Sequence, residues 1–239
     1  MEEGTSPEES KQHAVEGRPL WLPLTEMLYI GVFSVFQIVG WERLIDVDWS
    51  GPAASWLVLG LLTSWLLADA SSGLVHYLAD NFGSPTLPLF GRALIQPFRE
   101  HHDFPKRILE HGFLERNGNN ALFALPIFVW VPWLQPASSS LHLYAAVTGL
   151  SLGLWLLLTN QIHAWAHADS PPLYARVLQR FGLFLDPEAH SIHHTKPYDS
   201  HYCITSGIFD RLFSRSHRAE RVARSDDARP SSESAGRAP

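Results

Sequence analysis

Four apolar segments dominate the chain, and their lengths restrict the fold more than any other feature. They cover residues 20–41, 53–68, 121–134 and 141–162. A helix that crosses the hydrocarbon core of a bilayer needs about 20 apolar residues, within a range of roughly 17–25. The first and fourth segments meet that length, and the second meets it by continuing into the helical stretch DASSGLVHYLAD. The third is short and holds Pro126 and Pro132. Proline is tolerated in a spanning helix where neighbours satisfy the freed backbone groups. The expected fold class is all-α: a multi-span membrane protein with about four transmembrane helices.

The charges are segregated in agreement with four crossings. The connection between the second and third segments holds Arg92, Arg99, Lys106, Arg107 and Arg116, and the region after the fourth holds Arg176, Arg180, Lys196, Arg211 and Arg215. The first connection has Arg43 beside Glu42, Asp46 and Asp48, and the third connection, QPASSS, has no charge. Four spans place both basic regions and both termini on one side, which the positive-inside bias makes the cytosolic side. A soluble protein built on buried helices is the alternative. Against it, charged residues are only 18% of the chain, where soluble domains carry about 25%. The chain also has nine Trp, several near the ends of apolar runs, the position that suits a ring with one polar edge.

Residues 1–19 are acidic and polar without an apolar core, so a disordered tail is expected there and no cleavable signal peptide. A membrane domain over 20–213 and a solvated tail over 214–239 complete the expected organisation. Cys203 is the only cysteine, which excludes an internal disulfide framework and a multi-cysteine zinc site. No nucleic-acid partner is expected.

Ten of the thirteen histidines gather in four clusters. These are His76; His101, His102 and His111; His163 and His167; and His190, His193 and His194 with His201. Helical residues three, four and seven apart share a face. His163 and His167 therefore pair, with Asn160 one turn earlier, and Asp69, Gly73, His76 and Asp80 form one stripe. All four clusters lie on the expected cytosolic side, while His13 and His217 fall in the tails and His142 in the opposite connection. Ionisable groups gathered at a membrane boundary are costly and mark function. Zinc takes four ligands, or three and a water, and ten candidates exceed that. The nearby carboxylates are few: Asp69, Asp80, Glu100, Asp103 and Glu188. Two metals sharing many imidazoles, with iron activating dioxygen towards an inert C–H bond, is the expected chemistry.

The stretches SGLVHYLADNFGS, PLFGRALIQPFREHH, LERNGNN, TNQIHAWAH, IHH and HYCITSG resemble, in order, the Kua-type lipid desaturases, the plasmanylethanolamine desaturase family. The resemblance covers about residues 53–213. It implies a di-iron site whose family histidines map onto His76, His101, His102, His111, His163, His167, His190, His193 and His194, with His201 in a more variable stretch. It also implies a phospholipid substrate, dioxygen, and an external electron donor of the cytochrome-b5 or ferredoxin type. The family activity places the vinyl-ether double bond in 1-O-alkyl phospholipids, and a plastid branch desaturates an acyl chain instead. This chain departs from the family pattern at Gly112, Ala189 and Tyr198.

Two residues are expected to support the ligands from outside. Asp69, one heptad before His76, is placed to accept a hydrogen bond from a ligand's free ring nitrogen, and Asn117 is a supporting group or a loop cap. Arg92, Arg99 and Lys106 are candidates for a phosphate headgroup or are simply solvated. The competing functions are an acyl-lipid desaturase or hydroxylase, a zinc-dependent membrane hydrolase, and a non-enzymatic scaffold or metal sensor.

Overall fold

The computed structural model describes residues 21–88 and 91–210, apart from the side chains of Arg92 and Ala93. The expected tails lie outside the described residues. Among those described, the regular structure is helical: α1 (Trp21–Glu42), α2 (Pro52–Asn81), α3 (Gln96–Asp103), α4 (Phe113–Phe128), α5 (Ser140–His167), α6 (Leu173–Arg180) and α7 (Pro187–His193), with short helical turns at Gly91–Ile95, Pro105–Leu109 and Val131–Trp133.

Helices α1, α2 and α5 are long and apolar enough to cross a membrane. Chain direction requires a fourth pass. Both α2 and α5 end at their histidines, so the chain must return across the bundle between them, and α4 makes that return. Its 16 residues and the turn at Val131–Trp133 together extend about 30 Å, the thickness of the hydrocarbon core.

The spans face their polar groups inward. On α1 the buried residues are Glu26, Phe33, Gln37 and Gly40, while Leu24, Met27, Leu28, Val35 and Ile38 are exposed. The two breaks in that apolar run, Glu26 and Gln37, are therefore packing positions. Gln37 donates to the Leu150 carbonyl at 3.1 Å and accepts from the Trp41 indole at 2.9 Å. Phe33 meets Phe128 edge-on at 4.9 Å. Lipid tails are as apolar as leucine, so helices in a bilayer associate through close packing and such hydrogen bonds. Gly153 shows how close: a Cβ there would overlap the Phe128 ring.

The LERNGNN stretch binds α4 to α5. Arg116 donates to the His111 carbonyl at 2.6 Å and to Gln161 at 2.8 Å, and Asn160 donates to the Arg116 carbonyl at 2.9 Å. A second apolar cluster, built on Ile162, Ala166, Ala175, Phe184, Leu185 and Ile204, packs α6 and the following turn against the end of α5.

Candidate metal centre

Helix α2 runs for 30 residues and α5 for 28, about 45 and 42 Å at 1.5 Å per residue. Both exceed a hydrocarbon core of about 30 Å, and their last turns carry His76 and Asp80, and His163 and His167. Helices α3 and α7 complete the site. The side chains fall into two neighbouring groups: His101, His163, His167, His190 and His194 in one, and His76, Asp80, His102 and His193 in the other. In each group the ligand atoms lie within 4.8 Å of one another.

Sequence neighbours are divided between the groups. His101 joins the first and His102 the second; His190 and His194 join the first and His193 the second. One helical step turns a side chain by about 100°, so α3 and α7 each serve both groups while α2 serves one and α5 the other. The rings of His190 and His193 stack at 5.8 Å between centroids, which makes the groups adjacent.

The donor set fits metal ions. In the first group Nε2···Nε2 separations are 2.9 Å for His101–His163 and His101–His167, 2.8 Å for His163–His190, 3.0 Å for His167–His190, and 3.1 Å for both His163–His167 and His190–His194. Metal–nitrogen bonds of about 2.1 Å place adjacent ligands about 3.0 Å apart around an octahedral ion and about 3.4 Å apart around a tetrahedral one. The observed edges match the octahedral spacing. In the second group Asp80 Oδ2 lies 3.4 Å from the Nε2 of His76 and of His102, and 3.5 Å from that of His193.

Tautomers strengthen the case. His76 Nδ1 sits 2.9 Å from the Tyr202 carbonyl, and His193 Nδ1 sits 2.8 Å from the Ser200 carbonyl. A carbonyl only accepts, so both Nδ1 atoms carry the proton and both Nε2 atoms present lone pairs. His76 Nε2 and both Asp80 oxygens are buried without a hydrogen-bond donor. Lone pairs converging in a buried space need a cation. Burial also keeps the rings outside the spans neutral: it pushes His101 down to about 2 and His194 to about 3, with adjacent imidazoles adding to the effect, and it lowers His190 and His193 as well. Neutral imidazole is the ligand form.

Asp80, which the sequence offers only as one of several nearby carboxylates, lies in the second group. Its signal is its position four residues after His76. His111 and His201 stand outside both groups: His111 Nδ1 meets Glu115 at 3.0 Å, and His201 Nδ1 meets Ser200 Oγ at 3.1 Å. Asn117 is buried and donates to the Phe113 carbonyl of its own helix at 2.9 Å. Arg99 donates to the Ala79, Phe82 and Gly83 carbonyls, closing the end of α2, and Lys106 pairs with Asp169 at 2.8 Å.

Asp69 makes backbone contacts in place of the expected ring hydrogen bond. Its carboxylate accepts the backbone N–H groups of Ser206 at 2.7 Å, Gly207 at 2.8 Å and Phe209 at 3.1 Å. Ser72 accepts from Ile204 N at 3.2 Å, and Asp210 accepts from Cys203 N at 2.8 Å. The segment packs so tightly on α2 that a Cβ at Gly73 would strike the Cys203 thiol. Asp69 thus fixes the backbone that carries the Tyr202 carbonyl to His76.

A bundle of membrane-crossing helices that closes two histidine-rich ligand groups at one end defines a membrane metalloprotein. More particularly, residues 65–222 match the lipid desaturase domain model, and the chain belongs to that family. It is 43% identical over 171 residues to the plasmanylethanolamine desaturase of Myxococcus xanthus, covering 71% of this chain and 60% of that protein. It is 38% identical over 156 residues to plasmanylethanolamine desaturase 1 of Mus musculus, covering 63% and 58%. Fatty acid desaturase 4, chloroplastic, of Arabidopsis thaliana is 33% identical over 155 residues, covering 64% and 46%. The chain therefore spans about three fifths or less of the length of these relatives. No solved structure matches.

Proposed function

We propose that this protein is a membrane di-iron desaturase that converts 1-O-alkyl phospholipids, ethanolamine-bearing ones first, into their 1-alkenyl vinyl ethers. The observation that carries the reading is the pair of adjacent ligand groups, one with five imidazoles and one with three and a carboxylate, at the ends of apolar spans. The ether substrate is favoured because two relatives named for that activity are more similar to this chain than the plastid one.

Two irons held there would supply the dioxygen activation that an inert C–H bond requires. The overall change balances: the two alkyl carbons nearest the ether oxygen each lose one hydrogen, and dioxygen with two further electrons and two protons leaves as two waters. The electrons come from an external donor of the cytochrome-b5 or ferredoxin type. The residues of the chain hold and shield. Tyr202 and Ser200 fix the tautomers of His76 and His193. Phe98 lies edge-on to His76 at 4.8 Å, and Tyr198 stacks on His102 at 4.6 Å, covering the second group with aromatic surface. Water exclusion and placement of the two carbons set the outcome.

The test supplies labelled alkyl-ether phospholipid to membranes containing the protein, with dioxygen and a reductant. An acid-labile vinyl ether is expected, and it should disappear without oxygen. In His163→Ala, turnover should fall by more than about 100-fold, beyond the roughly 10–100-fold cost of losing an outer partner. A new double bond in a diacyl lipid, with the ether lipid untouched, establishes the acyl-desaturase alternative.

We place the metal end in the cytosol from the positive-inside bias. Cysteines introduced at Asp46 and Ser139 should be labelled only from the opposite side. Labelling of both from the cytosolic side overturns that orientation.

A further inference from the structure

Helix α6 and the turn after it expose an apolar stripe outside the spanning helices. Leu173, Val177 and Phe181 follow at four-residue intervals with Tyr174 beside them, and all four are exposed, Phe181 to 74%. A different stripe, Ala175, Leu178 and Gln179, faces the protein. Arg176 and Arg180 occupy a third face and are exposed. One face thus meets the bundle, one is apolar and uncovered, and one is cationic.

The depth of this element is fixed by tryptophans. The Trp65 indole donates to the Leu183 carbonyl at 3.1 Å. Trp65 precedes His76 by 11 residues, about 16 Å along α2 towards the bilayer. Phe184 stacks on Trp165 at 5.7 Å and meets Trp155 edge-on at 6.1 Å. Trp155 precedes His167 by 12 residues, about 18 Å along α5. The turn therefore reaches below the metal ligands, to the level of the apolar part of the spans.

Its backbone is suited to that place. Phe181 N bonds Val177 O, Gly182 N bonds Gln179 O, and the N–H groups of Leu183 and Phe184 both reach Leu178 O. Gly182 takes φ +69°, which lets the helix end in this closed form. With the Trp65 bond to Leu183 O, the turn's N–H groups and its Leu183 carbonyl are satisfied within the protein, in the manner that irregular backbone at membrane depth requires.

We propose that residues 173–185 form an interfacial element embedded in the leaflet at the metal end. Leu173, Tyr174, Val177 and Phe181 contact acyl chains, Arg176 and Arg180 sit among lipid phosphates, and Trp65 ties the element to α2. The exposed apolar stripe continues the lipid-facing surface of α2, where Leu61, Leu62 and Leu66 are exposed. Apolar residues on one face and arginines on the next are the pattern of a helix lying 5–10 Å deep in the headgroup boundary, by order of magnitude. The inference uses the membrane fold alone and no metal chemistry.

The test places nitroxide labels at Val177→Cys, Phe181→Cys and Asp169→Cys in the full chain, reconstituted in phosphatidylcholine vesicles with a minor share of phosphatidylglycerol. Cys203 is buried, and unsubstituted protein serves as the blank. Relaxation by a water-soluble nickel chelate should be lost at 177 and 181 while relaxation by oxygen is kept, and the chelate should act fully at 169. Equal chelate access at all three positions overturns the proposal. Loss of access to both reagents at 177 and 181 also overturns it, in favour of a protein partner on this face. No turnover is measured, so failure here is distinguishable from failure of the desaturase reading.

Discussion

The His76, Asp80, His102 and His193 group is gripped from outside, two of its rings hydrogen-bonded to the carbonyls of Tyr202 and Ser200. The five-histidine group is set ring against ring, and the buried Nδ1 atoms of His190 and His194 have no hydrogen-bond partner. The first arrangement depends on a loop held by Asp69, more than 130 residues earlier in the chain. The second depends on how α3, α5 and α7 pack. The charges differ too, because only the carbonyl-held group contains a carboxylate ligand. The two ligand groups thus come under separate structural control.

Acidification should give the largest effect, through the buried rings of the five-histidine group. Its rings outside the spans have folded pKa values lowered from 6.5 to about 2 for His101 and about 3 for His194. The unfolded chain binds protons as pH falls through about 6.5, whereas these folded rings do not until far lower. Stability is therefore fully present above that value and drains away as pH drops from about 6.5 towards about 2. Metal content and thermal unfolding measured across that window should decline together, and a flat response would show that these rings are not buried as described.

Asp80→Asn keeps the shape of the carboxylate and removes its charge. Metal bound by the carbonyl-held group should weaken by more than about 10-fold, while the five-histidine group keeps its metal. Elemental analysis should find roughly half of the native content. Full content would exclude Asp80 as a ligand.

Asp69→Asn tests control through the loop. Three backbone donors lose a charged acceptor, and one such loss inside a protein costs about 1–3 kcal/mol. The effect should be a weakening of about 10-fold or more in the same group, accompanied by faster hydrogen exchange at Ser206, Gly207 and Phe209. Weakening without faster exchange would point to a direct effect on the metal instead.

The smallest effect belongs to His111→Ala. The residue pairs with Glu115 on a partly exposed surface, and such pairs contribute about 0–1 kcal/mol. Metal content should stay unchanged. Loss of metal would place His111 among the ligands, as the family resemblance implies, and redraw the first group.

The apolar runs made the spans legible, because length against bilayer thickness is a property of the sequence itself. The third was harder: α4 stops at Phe128 after 16 residues, and the segregated charges together with its return between two helices of the same direction identify it as a crossing. The histidines were legible as a set but not as two sets. Whether His193 or His194 faces a given metal depends on one helical step, fixed by packing. Asp80 lay on the same stripe as His76 and Asp69, and its spacing of four residues from His76 was its one distinguishing mark. The role of Asp69 had no local signal, since the amides it binds lie on a loop that the fold brings back to α2. Histidine abundance in turn placed His111 and His201 among the candidates without showing where they face.

The division of ligands among α2, α3, α5 and α7 has a consequence for biogenesis. A ribosome that has reached residue 186 has made only three of the five ligands of one group, and three of the four of the other. Membrane insertion of all the spanning segments is then already encoded, but neither ligand group is complete. A metal taken up by either group can be fully held only once α7 has emerged. Nascent chains arrested before Pro187 should insert normally and retain no tightly held metal, and arrest far enough beyond Asp210 for α7 and the loop held by Asp69 to emerge should restore retention.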